Sequence, residues 1–184
     1  MLAQPVKRRF TVDEYHRMGE AGIFHPDDRV ELIEGEIVQM SPIGQPHAFT
    51  VMMFNNLLVQ AVAGRALVSP GNPVRLTRWT EPQPDLMLLR LDADYREEFV
   101  VPGHVLLVIE VADTSLAYDR GVKLRLYAQA GIPEVWIVDV PHERVEVHRD
   151  PAGEGYRTVE VVPRTGRPSP AALPDAQIAV AEIL

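Results

Sequence analysis

The sequence predicts a mixed α/β domain, and three observations carry that expectation. Val105 to Val111 is apolar at every position but Glu110, between Gly103 and Asp113, the pattern of a strand covered on both faces. Val135 to Val140 is a second such run. A helical stretch from Asp119 to Ala130 lies between them, stopped by Gly131 and Pro133. The three make a candidate right-handed βαβ unit.

The other elements follow from local chemistry. Thr11-Val12-Asp13-Glu14 reads as a capping box that starts an amino-terminal helix ending near Gly19 or Gly22. Arg29 to Ile33 and Glu36 to Met40 read as strands of a hairpin turning at Glu34-Gly35. In the next helix, His47 to Val62, residues Val51, Phe54, Leu58, Ala61 and Val62 recur at helical spacing, and Gly64 is the stop. Short strands are expected at Ala66 to Ser69, Val74 to Arg78 and Leu86 to Arg90, with Pro70-Gly71-Asn72-Pro73 as a loop between the first two. Asp92 to Val101 reads as a polar loop. Arg144 to His148 and Tyr156 to Val162 alternate, as half-exposed strands do. Pro163 to Pro174 is loop, and Ile178 to Leu184 a short last element. Residues 1–184 are expected to form one domain.

Composition narrows the chemistry. There is no cysteine, which excludes thiol catalysis, disulfides and cysteine-ligated zinc. The formal net charge of −8 argues against a broad phosphate-tracking surface but leaves room for a nuclease, whose metal neutralises part of an acidic pocket. Lys7-Arg8-Arg9 is followed by no apolar stretch, and no run is long enough to span a membrane, so a cytoplasmic protein with no membrane partner is expected. There is no Gly-rich phosphate loop, no H-E-x-x-H and no G-x-S-x-G.

Against that background Lys123 stands out. At roughly 100° per residue, with Val122 at zero, Leu126 falls at about 40°, Ala130 at about 80° and Tyr127 at about 140°. Lys123 falls at about 100°, in the middle of this apolar arc, while Arg125 and Gln129 lie opposite. Such a lysine either snorkels to water or is paired inside. It follows closely on the strand that Glu110 closes, where carboxylates could hold it and where it could steady a developing negative charge.

Two carboxylates accompany it. Asp85 follows Pro84 and opens the run Leu86 to Leu89. Alone it reads as a turn residue; beside Glu110 on a neighbouring strand it could hold Mg2+ or Mn2+, which take oxygen ligands. Glu110, at the end of so apolar a strand, must reach solvent, a partner or a metal. His47 could face the same site or be an ordinary first-turn residue. Glu34 and Glu31 could supply a third acid, solvated turn charge being the simpler role for both. Asp113-Thr114-Ser115 and Arg120 could contact phosphate, or be a loop and an exposed ion pair.

These residues resemble the restriction-endonuclease-like superfamily, with its proline-aspartate followed by an acid-x-lysine pattern, and more narrowly the Uma-two family of endonucleases. The resemblance runs through Glu31-Leu32-Ile33-Glu34-Gly35-Glu36, Ser41-Pro42, His47, Pro84-Asp85, Val108-Ile109-Glu110-Val111, Asp119-Arg120-Gly121-Val122-Lys123, Leu126-Tyr127-Ala128, Gly131-Ile132-Pro133-Glu134 and Trp136-Ile137-Val138-Asp139. It implies a restriction-endonuclease-like core, a mixed central sheet flanked by helices, with the amino-terminal helix and hairpin added. It implies Asp85 and Glu110 as metal ligands, the Val111 carbonyl as a third, and Lys123 as the lysine. Ala112 stands where the superfamily has that lysine, so Lys123 reaches in from the following helix. His47 or Glu34 is the implied helper. The implied activity is Mg2+- or Mn2+-dependent hydrolysis of DNA, by a homodimer suited to two strands. The competing expectations are an inactive nuclease-like module that binds nucleic acid or assembles, and a phosphodiesterase acting on a small nucleotide.

Overall fold

In a computed structural model, which describes residues 6–25 and 27–184, the sheet is built as the two apolar runs require. Six strands lie in sequence order: β3 (Leu67–Pro70), β4 (Leu86–Leu89), β5 (Val105–Ala112), β6 (Glu134–Asp139), β7 (Arg144–Ala152) and β8 (Gly155–Pro163). The β5–β6 pair is parallel and every other pairing is antiparallel, so the sheet is mixed. The crossover between the parallel strands is one helical segment in three parts: α3 (Leu116–Tyr118), a π-helical turn (Asp119–Lys123) and α4 (Leu124–Gln129). Ahead of the sheet come α1 (Val12–Glu20), the hairpin β1 (Val30–Ile33) and β2 (Glu36–Gln39), and α2 (Gln45–Val62).

Both sheet faces are covered. Phe54, Leu58 and Val62 of α2 pack on Leu86, Leu88, Leu107, Ile109 and Val111, together with Ile178, Val180 and Ile183 of the carboxyl-terminal segment. Leu126, Tyr127 and Ile132 cover the opposite face, over Met87, Leu89, Val108, Ala112 and Ile137. Because side chains alternate across a strand, even positions of β5 from Val108 to Ala112 share the crossover-helix face. Glu110 lies between them.

The capping box forms as expected: Glu14 N–H donates to Thr11 Oγ1, and Thr11 N–H to Glu14 Oε2. The hairpin turns on Glu34 and Gly35, both with positive φ (50° and 81°), the conformation a two-residue turn needs. Three expectations are corrected. Val74 to Arg78 is not a strand; between Pro73 and Pro82 the chain doubles back, with Leu76 N–H bonding Thr80 O and Val74 N–H bonding Pro82 O. The crossover helix starts at Leu116 rather than Asp119. β7 is not half exposed: Val145 to His148 are buried, because tail residues cover one face and the crossover helix the other. No helix of the described residues is long and apolar enough to cross a membrane.

Candidate active site

The register across the sheet decides which charges meet. Leu86 pairs with Ile109 and Met87 with Val108 across the antiparallel β4–β5 ladder. One step further sets Asp85 opposite Glu110, side chains on the same face, where directly opposed Cβ atoms are about 5 Å apart. Continuing the row, Glu110 lies beside Ile137 on β6, and Ile137 opposite Glu146 on β7. The row across this face therefore reads Asp85, Glu110, Ile137, Glu146.

One more step sets Pro84 across from Val111, and a proline brings no N–H to a ladder. The Val111 N–H is taken instead by Asp85 Oδ2, at 2.7 Å. The other Asp85 oxygen lies 3.0 Å from His47 Nε2, in the first turn of α2. That contact raises the His47 pKa, partly offset by burial. His47 Nδ1 is buried with no partner among the described residues.

Lys123 enters from the π turn, where the Leu124 N–H bonds Asp119 O five residues back. Its Nζ lies 3.2 Å from Glu110 Oε1 and 3.4 Å from Glu31 Oε2. Tyr127 donates to the same Glu110 oxygen at 2.5 Å, while Oε2 takes part in neither contact. Asp119 accepts from Ser115 Oγ at 2.5 Å. Glu31, Glu110, Asp119 and Lys123 are each at most 4% exposed. With Asp85 and Asp113, five carboxylates thus share with the Lys123 ammonium a cavity of about 410 Å³ that Tyr118, Val111, His47 and Arg29 also line.

The imbalance shows in how tightly each group holds its proton. Burial pushes Glu110 up to about 8, the Lys123 charge opposing it without cancelling it. Asp119 is raised, again by burial first. Burial alone would lower Lys123, but Glu110, Glu31, Asp119 and Asp85 outweigh it and hold the amine above its ordinary value. Burial raises Tyr118 to about 12, and the neighbouring Glu31 carboxylate adds to the shift.

Asp85, Glu110, Lys123, His47 and Val111 are brought to this one cavity. Glu34 is not. It holds the positive-φ corner of the hairpin, 46% exposed, in an ion pair with Arg125 at 3.1 Å. Glu31, read as solvated turn charge, is buried against Lys123 because the hairpin lies over the cavity, tied down by Gln83 N–H to Glu31 Oε2 at 3.2 Å. Arg120 is turned away from the cavity. Its guanidinium binds Asp139 at 3.1 Å and both oxygens of Glu146, and Arg144 and His142 complete that second cluster. Asp119 was legible only as the first residue of the Asp119 to Lys123 motif, and Tyr118, just before it, had no signal of its own in the sequence.

Among the described residues no three His, Asp or Glu side chains form a ready ligand cage. The donor set is sparser: two opposed carboxylates beside a backbone carbonyl to which Pro84 offers no N–H. Hard oxygen donors in small number, with room for water, are what Mg2+ and Mn2+ use, and the excess of buried negative charge has the sign a cation neutralises.

A family profile described as "Putative restriction endonuclease" matches residues 12–181, which include every residue of this cavity. The chain belongs to the Uma2 family. The Uma2 match spans the hairpin, the sheet and the crossover helix together. Among solved structures, a crystal structure of a "putative nuclease belonging to DUF820" from Anabaena variabilis ATCC 29413 superposes with a TM-score of 0.73 at 16% identity, covering 95% of this chain and 97% of that one. At that identity the likeness is one of fold, and it bears out the restriction-endonuclease-like sheet. No curated protein matches the Uma2 chain.

Proposed function

We propose that this Uma2 protein is a divalent-metal-dependent nuclease that hydrolyses phosphodiester bonds of DNA. One observation carries the reading: Asp85 and Glu110 stand opposed on neighbouring strands with Lys123 over them, in a cavity whose carboxylates outnumber its cations. Asp85, Glu110 and the Val111 carbonyl would hold Mg2+ or Mn2+. The bound ion would supply Lewis-acid polarisation of a phosphoryl oxygen and a water of lowered pKa.

The chain's own groups have separable parts in this reading. Val111 N–H and His47 fix the Asp85 carboxylate from two sides, so its oxygens are oriented before anything binds. Tyr127 does the same for Glu110. Lys123 keeps its proton and lies where it can orient water or offset charge growing on the phosphate. The half-buried His47 can hold or accept a proton at Nδ1. The expected homodimer would present two such sites, and sedimentation at twice the chain mass is the expected result.

The test is strand scission of plasmid and single-stranded circular DNA with Mg2+ or Mn2+, for the wild type, Asp85→Ala and Lys123→Ala. Scission lost in both variants is expected; equal activity in all three would sink the assignment. Calorimetric titration with Mn2+ separates the assembly-module alternative, which expects no binding that depends on Asp85 and Glu110.

A further inference from the structure

A second cavity, of about 500 Å³, runs beside the first and shares Arg29, Met40, Ile43, His47 and Asp85 with it. It lies between the first half of α2 and the chain around Pro70, Gly71 and Pro84. Its walls are apolar, chiefly Met40, Ile43, Val51 and Met52, and its two amides are Asn55 and Gln83. Its size is that of a small-ligand site. Asn55 follows His47 by eight residues of helix, about 12 Å. Met52 is left 62% exposed, on a helix of 18 residues that carries no Asp, Glu, Lys or Arg, and Ile43, just ahead of that helix, 54%.

Charge argues against a duplex in this trough. Proteins that track duplex DNA neutralise several phosphates with Lys and Arg. Across both cavities the cations are Arg29, Lys123 and His47, facing Glu31, Asp85, Glu110, Asp113 and Asp119. Lys123 and His47 are already engaged with carboxylates, and Arg29 alone of the three has no carboxylate partner among the described residues. Such a surface offers purchase for a phosphate or two. What it offers in quantity is an apolar slot opening from the carboxylates, which fits the flat face of an unstacked base, with amides for the base edge.

Resting on the nuclease reading, we propose that the slot between α2 and Pro70-Gly71 takes one unpaired nucleobase of the strand being cut. The preferred substrate is accordingly a single strand or an unpaired segment. Met52 and Asn55 would be specificity-determining residues that touch the base and not the scissile phosphate.

The experiment uses a labelled thymidine 20-mer, alone and annealed to its complement, with anisotropy read in EDTA and in Ca2+ and scission read in Mg2+. The single strand is expected to bind at least tenfold more tightly, with a log–log salt slope no steeper than about −2. Met52→Glu and Asn55→Leu should each weaken that binding about tenfold with unchanged thermal melting. Equal or tighter duplex binding, a slope near −5, or no effect of either variant overturns the proposal. Scission without single-strand preference overturns it while leaving the nuclease reading intact. Base binding that depends on Met52 with no scission of any strand overturns the nuclease reading and leaves the slot standing.

Discussion

Two charged clusters share one face of the sheet, separated in the cross-strand row by the single side chain of Ile137, yet they are built oppositely. Around Arg120, the carboxylates of Asp139 and Glu146 meet two guanidiniums and His142. Burial alone would raise Asp139, but hydrogen bonds from His142 and Arg144 outweigh it and hold its carboxyl below the usual range. Around Lys123, one amine meets Glu110 and Glu31, with Asp119, Asp85 and Asp113 lining the same cavity, and burial leaves Glu110 raised to about 8. Both clusters hang from the same π turn, three residues apart. The first is a neutralised clamp that ties the turn to β6 and β7. The second is left short of positive charge, which is what the proposed cation would supply.

The largest way to break this contrast is to remove its acids. Asp85→Ala or Glu110→Ala should lower scission by roughly 10²–10³-fold, as loss of a preorganised charge does. Arg120→Met should leave activity within about tenfold, because it acts only by holding the turn. Equal losses in a side-by-side nicking assay would erase the distinction. Next is stability. Lys123→Met strands buried carboxylates and should cost about 3–5 kcal/mol by denaturant unfolding. Mn2+ should then raise the melting temperature of Lys123→Met more than that of the wild type. Arg120, about a third exposed, should cost less when replaced, with no such rescue.

The pH dependence sharpens the difference further. Because Glu110 is raised from 4.5 to about 8 in the folded state, the stability its proton contributes is fully present below about 4.5 and lost as pH rises through 8. Asp119, also raised, adds to the same slope. Melting temperature should fall across that window, and Glu110→Gln should flatten the fall. Divalent binding should release a proton and tighten as pH rises. An unchanged profile in Glu110→Gln would remove the account of this carboxyl. The smallest effects come from the hairpin. Glu31→Gln should weaken Mn2+ binding about tenfold by titration calorimetry, while Glu34→Gln, on the exposed corner, should change neither affinity nor stability by more than about 0.5 kcal/mol.

How far the sequence reached follows from which forces are local. Lys123 was legible because it breaks the apolar arc of its own helix. Asp85 and Glu110 were legible as acids at the ends of apolar runs. Their pairing was not, since it depends on β4 and β5 being antiparallel neighbours in one particular register. Glu31, a possible third acid, was read more simply as solvated charge for a related reason. On a four-residue strand of a hairpin, an acid looks like the solvent side, and only the docking of the hairpin over the cavity buries it. Val74 to Arg78 has strand composition, but the flanking prolines fold it back on itself. The π turn leaves no trace in periodicity; at either pitch Lys123 points inward.

A sheet normally consumes every carbonyl it lines up. By withholding a single hydrogen atom just ahead of β4, Pro84 offers the oxygen of Val111 no amide partner. Any other residue at 84 would bring an amide hydrogen to that spot and could close it. The proposed binding position would be made by subtraction: what the backbone lacks there is as specific as what the carboxylates provide.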